Sequence, residues 1–242
     1  MSTQTSSNPQ ATSWSEFRPS VQLPLALVIL SGLGVAALTL QQLPSASFES
    51  DTLMWALLAF ITGSFTLKLP FVRASLSMDT LFVFALLLTG EMSVAVIVSG
   101  LTMMVGELRS NNAEQRLWYT LPFNFATGVL AAAAAATVLN LGLPADQEMG
   151  LVTKVLACTI PYFMVNIALV SVAVKLTRGA PFFKVLQSLF FTCPAFLGAG
   201  SIAGLAIWML NHAPALVLLT TCLLYTSPSP RDLSTSRMPS SA

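Results

Sequence analysis

The sequence predicts an all-α fold, a polytopic membrane helix bundle of about eight transmembrane segments with a short helical hairpin at residues 79–108. Three observations carry that reading. Apolar residues make up 55% of the chain and charged residues only 9%, whereas a soluble domain carries about 25% charge to solvate its surface. Mean hydropathy is +0.75. Several apolar runs approach the roughly 20 residues needed to cross a hydrocarbon core of about 30 Å. The net charge of +1 gives no basic cluster of the kind that marks a nucleic-acid partner, so the expected partner is the lipid bilayer.

Residues 1–22 are polar, rich in Ser, Thr and Gln, and carry only Glu16 and Arg18 as charges. They read as a surface-lying or disordered tail. The first span covers 23–40, with Gly32 and Gly34 in its middle. A cleaved signal peptide is the rival reading, but it needs a basic leader and an apolar run of roughly 7–15 residues. This leader is nearly neutral and the run is longer. The connector 41–51 holds Glu49 and Asp51, and the second span covers 52–67. Lys68, Pro70 and Arg73 then mark a basic loop.

The stretch 79–108 is almost wholly apolar, interrupted at Gly90-Glu91. As one helix of about thirty residues it would be roughly 45 Å long, which is wrong for a single span. Basic loops flank it on both sides, so both its ends face one side and the middle turns at Gly90 and Glu91. Its two halves are short, which leaves a full crossing or a re-entrant hairpin. A charged loop at 109–116 leads to the span 117–139, opened by Trp118-Tyr119, residue types that favour the membrane interface. The connector 141–150 holds Asp146 and Glu148, and the span 151–174 follows. After Lys175, Arg178 and Lys184, residues 182–189 lie partly in the interface. A span at 190–210 and a short run at 213–224 close the membrane part.

Positive residues set the orientation, because cytoplasmic loops near membrane ends carry the Lys/Arg excess. With the N-terminus inside, the inner connectors hold eight (Arg18, Lys68, Arg73, Arg109, Arg116, Lys175, Arg178, Lys184) and the outer ones only Lys154. Both termini are then expected in the cytoplasm. The final apolar run is too short to cross. From about Cys222 the chain (CLLYTSPSPRDLSTSRMPSSA) resembles translated sequencing-adaptor sequence, with a Ser/Pro-rich disordered tail as the alternative. The expected organisation is a tail at 1–22, a transmembrane domain at 23–221 and an extraneous segment at 222–242, with the natural protein continuing where this chain stops.

No catalytic signature is present: no phosphate-binding loop, HExxH, GxSxG or dinucleotide fingerprint. No enzyme activity and no cofactor are expected within the chain. Cys158, Cys193 and Cys222 fall in apolar runs without CxxC spacing and read as buried hydrophobes. His212 is the single histidine, and no zinc ligand set surrounds it. The ligand-binding candidates are the amides Asn124 and Asn166, each near a proline that could free a carbonyl for them. Interhelical hydrogen bonding is their bland role, at about 0.6–2 kcal/mol each. Glu91 reads as a hairpin turn rather than an intramembrane proton carrier. The six alanines at 131–136 permit close helix approach.

Ser75-Leu-Ser-Met-Asp79 entering an apolar run, the Gly90-Glu91 break, Phe123-Asn-Phe-Ala126 and Tyr162-Phe-Met-Val-Asn166 together form a pattern over about residues 50–221. It resembles the multi-pass N-terminal membrane regions of bacterial signal-transduction proteins that carry GGDEF diguanylate cyclase, HD-type phosphohydrolase or histidine kinase output modules. The resemblance implies an input region in the bacterial inner membrane. Such a region senses a small-molecule or membrane cue, or anchors and dimerises a cytoplasmic output domain, so a homodimer is implied. That domain, cyclic-dinucleotide or phosphotransfer chemistry included, is not in this chain. The competing expectation is a small transporter or substrate-binding membrane subunit, with its site near the midplane.

Overall fold

A computed structural model describes residues 19–43, 50–63, 66–68, 75–77, 79–109, 119–141 and 147–212. The expected final run at 213–224 and the tail beyond it lie outside these residues, as does most of the polar N-terminal segment. Eight helices are described: α1 Pro19–Gln42, α2 Ser50–Gly63, α3 Asp79–Leu88, α4 Met92–Arg109, α5 Thr120–Asn140, α6 Gln147–Arg178, α7 Phe182–Phe190 and α8 Cys193–His212. A two-stranded antiparallel ribbon, β1 Thr66–Lys68 and β2 Ser75–Ser77, joins α2 to α3 with Leu67 opposite Leu76. The fold is therefore helical apart from this one short ribbon.

Among the described residues five helices are long and apolar enough to cross a membrane: Pro19–Gln42, Met92–Arg109, Thr120–Asn140, Gly150–Arg178 and Cys193–His212. This is the make-up of an integral membrane protein. Two of the expected eight are not among them because α2 and α3, at 14 and 10 residues, measure only about 21 and 15 Å, and a third, at 213–224, lies outside the described residues. Helix ends also differ from the expected span edges. α1 starts at Pro19, whose fixed φ and missing N–H suit a first helical position. α6 runs for 32 residues without a break at Pro161, about 48 Å and longer than any bilayer core.

The contacts divide the chain into two units, Met1–Gly204 and Leu205–Ala242. In the second, Trp208 stacks on His212 with ring centroids 5.1 Å apart. In the first, the contacts sort helix ends. Leu25 of α1, Tyr119 and Phe123 at the start of α5, and Leu169, Ala173 and Leu176 near the end of α6 form one apolar cluster. Gly32 of α1 packs directly on Ala126 of α5, so α1 and α5 run parallel and α6 runs against them. Asn124 meets Glu107 while Gly128 meets Ser99, so α4 is antiparallel to α5. A Cβ on Gly63, the last residue of α2, would stand 3.2 Å from Thr102 of α4 and 3.4 Å from Asp79 of α3.

The α3–α4 hairpin turns through Thr89, Gly90 and Glu91, with Gly90 at φ +92°. The Glu91 N–H donates to the Leu86 carbonyl at 3.1 Å, which closes the turn. Just beyond it, the Ser93 hydroxyl donates to the Gln42 side chain at 3.4 Å. Gln42 ends α1, whose other end sits beside Tyr119. The tip of the hairpin thus reaches the end of the bundle opposite the α1 start. α3 is nevertheless short because it begins at Asp79, level with Thr102 inside the bundle, and β2 supplies the remaining distance.

Candidate functional site

The site grows from α4. Ser99, Thr102 and Gly106 recur at spacings of three and four, so they share one helix face. Small residues on that face let neighbours approach to backbone distance. A Cβ on Gly128 of α5 would stand 2.5 Å from the Ser99 carbonyl oxygen, a separation that only glycine permits. That closeness brings the Ser99 hydroxyl to 3.0 Å from the Gly128 carbonyl oxygen.

On its other side Ser99 Oγ lies 3.0 Å from the Tyr162 hydroxyl of α6. A carbonyl only accepts, so Ser99 spends its one proton on Gly128, and Tyr162 therefore donates to Ser99. Three helices are joined by two hydrogen bonds in series. The Tyr162 ring is 1% exposed. Phe84 of α3 meets it edge-on at 5.2 Å, and Phe196 of α8 lies tilted at 6.1 Å. The Tyr162 side chain thus joins four helices directly and α5 through Ser99.

Asp79 completes the constellation. It opens α3 at 2% exposure, in contact range of Gly63 and level with Thr102. An acid so deep in an apolar bundle is costly to retain and makes Asp79 a candidate functional position; the start of α3 eases that cost, since a helix N-terminus favours negative charge. Among the described residues no group of His, Cys, Asp and Glu could hold a metal ion. Cys158 is buried, its thiol donating to the Val155 carbonyl at 3.2 Å.

The two amide candidates are placed separately. Asn124 donates to the Glu107 carboxylate at 3.2 Å, so its partner is a side chain of the neighbouring helix rather than a proline-freed carbonyl. Asn166 is half-buried one turn beyond Tyr162 and makes no hydrogen bond among the described residues. No hydrogen bond joins the two amides. Gly90 and Glu91 form the hairpin turn at the far end of the bundle, away from Tyr162. Sequence reasoning missed Asp79 as an interior acid because it stands at the front of an apolar run, where a span edge is expected. It missed Glu107 for the same reason, beside Arg109. Ser99 gave only the faint signal of Ser99-Gly100 within an apolar run.

At the end of the bundle that carries the α5 start, burial pushes the Tyr119 phenol above its usual pKa, and the Arg178 guanidinium partly offsets this. Of the described basic residues, Lys68, Arg109, Lys175, Arg178 and Lys184 share that end, while Lys154 lies near the α6 start. No protein-family model, curated protein or solved structure matches the chain.

Proposed function

We propose that this chain is the membrane-embedded input and anchoring region of a bacterial signal-transduction protein, inserted in the inner membrane. The observation that carries the reading is the Tyr162–Ser99–Gly128 linkage. It occupies the centre of the bundle, where a solute path would run, and ties α4, α5 and α6 into a unit that can pass a rearrangement from one helix to the next. Phe84, against Tyr162, and Val129, next to Gly128, are fully buried. The clustering of basic residues at one end supports a cytoplasmic position for that end. With α2 and α3 completed by the ribbon the described helices give seven crossings, and an eighth beyond His212 would return the chain to the cytoplasm, where the N-terminus also lies. The output module, for cyclic-dinucleotide turnover or phosphotransfer, then follows on the cytoplasmic side.

Asp79 favours a second reading, a small transporter or substrate-binding membrane subunit. A buried acid inside the bundle is the kind of group through which transporters pass protons or other cations. Two measurements separate the readings. Reading the gene past the codon for Thr221 should find an open frame into a soluble cyclase, phosphohydrolase or kinase module; a stop codon there removes the first reading. Proteoliposomes holding the chain alone should show no saturable uptake of small solutes; saturable uptake abolished by Asp79→Asn establishes the second.

A further inference from the structure

α7 is amphipathic in a particular way. At about 100° per residue, Phe182, Phe183, Val185, Leu186, Leu189 and Phe190 fill one arc of roughly 160°, and Lys184, Gln187 and Ser188 fill the opposite side. Only half of the apolar arc is used within the chain. Phe182, Val185 and Leu189 are half-buried, while Phe183 is 78% exposed, Phe190 52% and the following Phe191 74%. Phe183, Leu186, Gln187, Phe190 and Phe191 line an open groove on that outward side.

The placement of α7 says what this groove meets. Gly179, at φ +67°, and Pro181 reverse the chain directly after the exposed Lys175 and Arg178 that end α6. Phe190 then packs edge-on against Phe163 at 5.8 Å, a residue about 22 Å back along α6 from Arg178. α7 therefore slopes from the polar edge of the bilayer toward its hydrocarbon, with Phe183 and Lys184 near the edge and Phe190 at acyl-chain depth. Lys175 and Arg178, three apart, lie on one face of α6. The sequence holds no Asp or Glu between Glu148 and Asp232, so no carboxylate of this segment neutralises the three cations.

We propose that the outward groove of α7, with Lys175, Arg178 and Lys184, is a binding site for an anionic glycerophospholipid. The acyl chain lies along Phe183, Leu186 and Phe190, and the phosphate sits among the cations. Apolar contact alone would take any lipid; the uncompensated cations select negative headgroups, each contributing roughly a fivefold preference at a membrane surface.

Native mass spectrometry of the full chain in neutral detergent, with phosphatidylglycerol and phosphatidylcholine of identical acyl chains, tests this. The unmodified protein should retain phosphatidylglycerol over phosphatidylcholine by about tenfold or more. Lys175→Gln/Arg178→Gln/Lys184→Gln should abolish the preference, and Lys154→Gln, near the other end of α6, should leave it intact. Should the triple variant fail to fold, Lys184→Gln alone, at an exposed position on a surface helix, should reduce the preference about fivefold. Equal retention of the two lipids by the unmodified protein overturns the proposal. So does loss of phosphatidylglycerol to millimolar inorganic phosphate, which would make the cations a free-phosphate site.

Discussion

A side chain at position 128 has nowhere to go. A Cβ there would stand 2.5 Å from the Ser99 carbonyl oxygen and 2.8 Å from its carbon, and backbone atoms cannot rotate aside. Gly128→Ala must push α4 and α5 apart, at a cost of about 1–3 kcal/mol, and the same shift stretches the Ser99 bond to Gly128. Ser99→Ala keeps the backbone contact but removes both hydrogen bonds of the hydroxyl, which costs about 1–2 kcal/mol. Thermal unfolding in detergent should therefore show both variants below the parent, Gly128→Ala the further below. A parent-like midpoint for Gly128→Ala would mean that the two backbones do not touch. At this scale the sequence was only partly legible. The six alanines at 131–136 announced close packing, and Asn124 announced an interhelical bond. Which helix supplied the partner was hidden, because Asn124–Glu107, Ser99–Gly128 and Ser99–Tyr162 join positions 17, 29 and 63 residues apart.

Helix identity and helix length were legible to different degrees. The break at Gly90 could be read because a glycine beside a charge in an apolar run interrupts both burial and helix propensity. Its backbone, at φ +92°, is one that other residues adopt at a cost, and a Cβ there would meet nothing within 4 Å. Gly90→Ala should thus destabilise purely through the backbone, by about 1 kcal/mol. Gly34 of α1 also has open space around its Cβ position but lies inside a regular helix. Gly34→Ala should stabilise by roughly 0.5–1 kcal/mol. The two substitutions add the same methyl group, so unfolding midpoints that move in opposite directions separate backbone conformation from packing. Midpoints that move together would remove the positive-φ turn as the cause. The extent of α6 was not legible, since polarity at 146–148 marks where a membrane ends, whereas the helix runs on beyond it. The shortness of α3 was legible in the short half before Gly90, whereas that of α2 was hidden, because a strand at Leu67 and an apolar helix look alike over three residues.

Across the whole membrane unit, end-sorting is the property with the widest reach. Leu25, Tyr119 and Leu176 meet at one end, Glu107 and Asn124 meet near it, and Ser93 meets Gln42 at the other. These contacts join distant parts of the chain and owe nothing to charge, yet they collect Arg109, Lys175, Arg178 and Lys184 together and leave Asp51 and Glu91 opposite. The hairpin tip therefore stands on the acidic side. In a variant whose native cysteines are replaced, single cysteines at positions 51 and 91 should react with an impermeant thiol reagent applied from one side of the membrane. Those at 109 and 175 should react only from the other. Position 91 reacting with the second group would make the hairpin re-entrant and contradict the Ser93–Gln42 contact. Positions 109 and 175 on different sides would break the antiparallel order of α4, α5 and α6, and with it the geometry that lets Tyr162 reach Ser99.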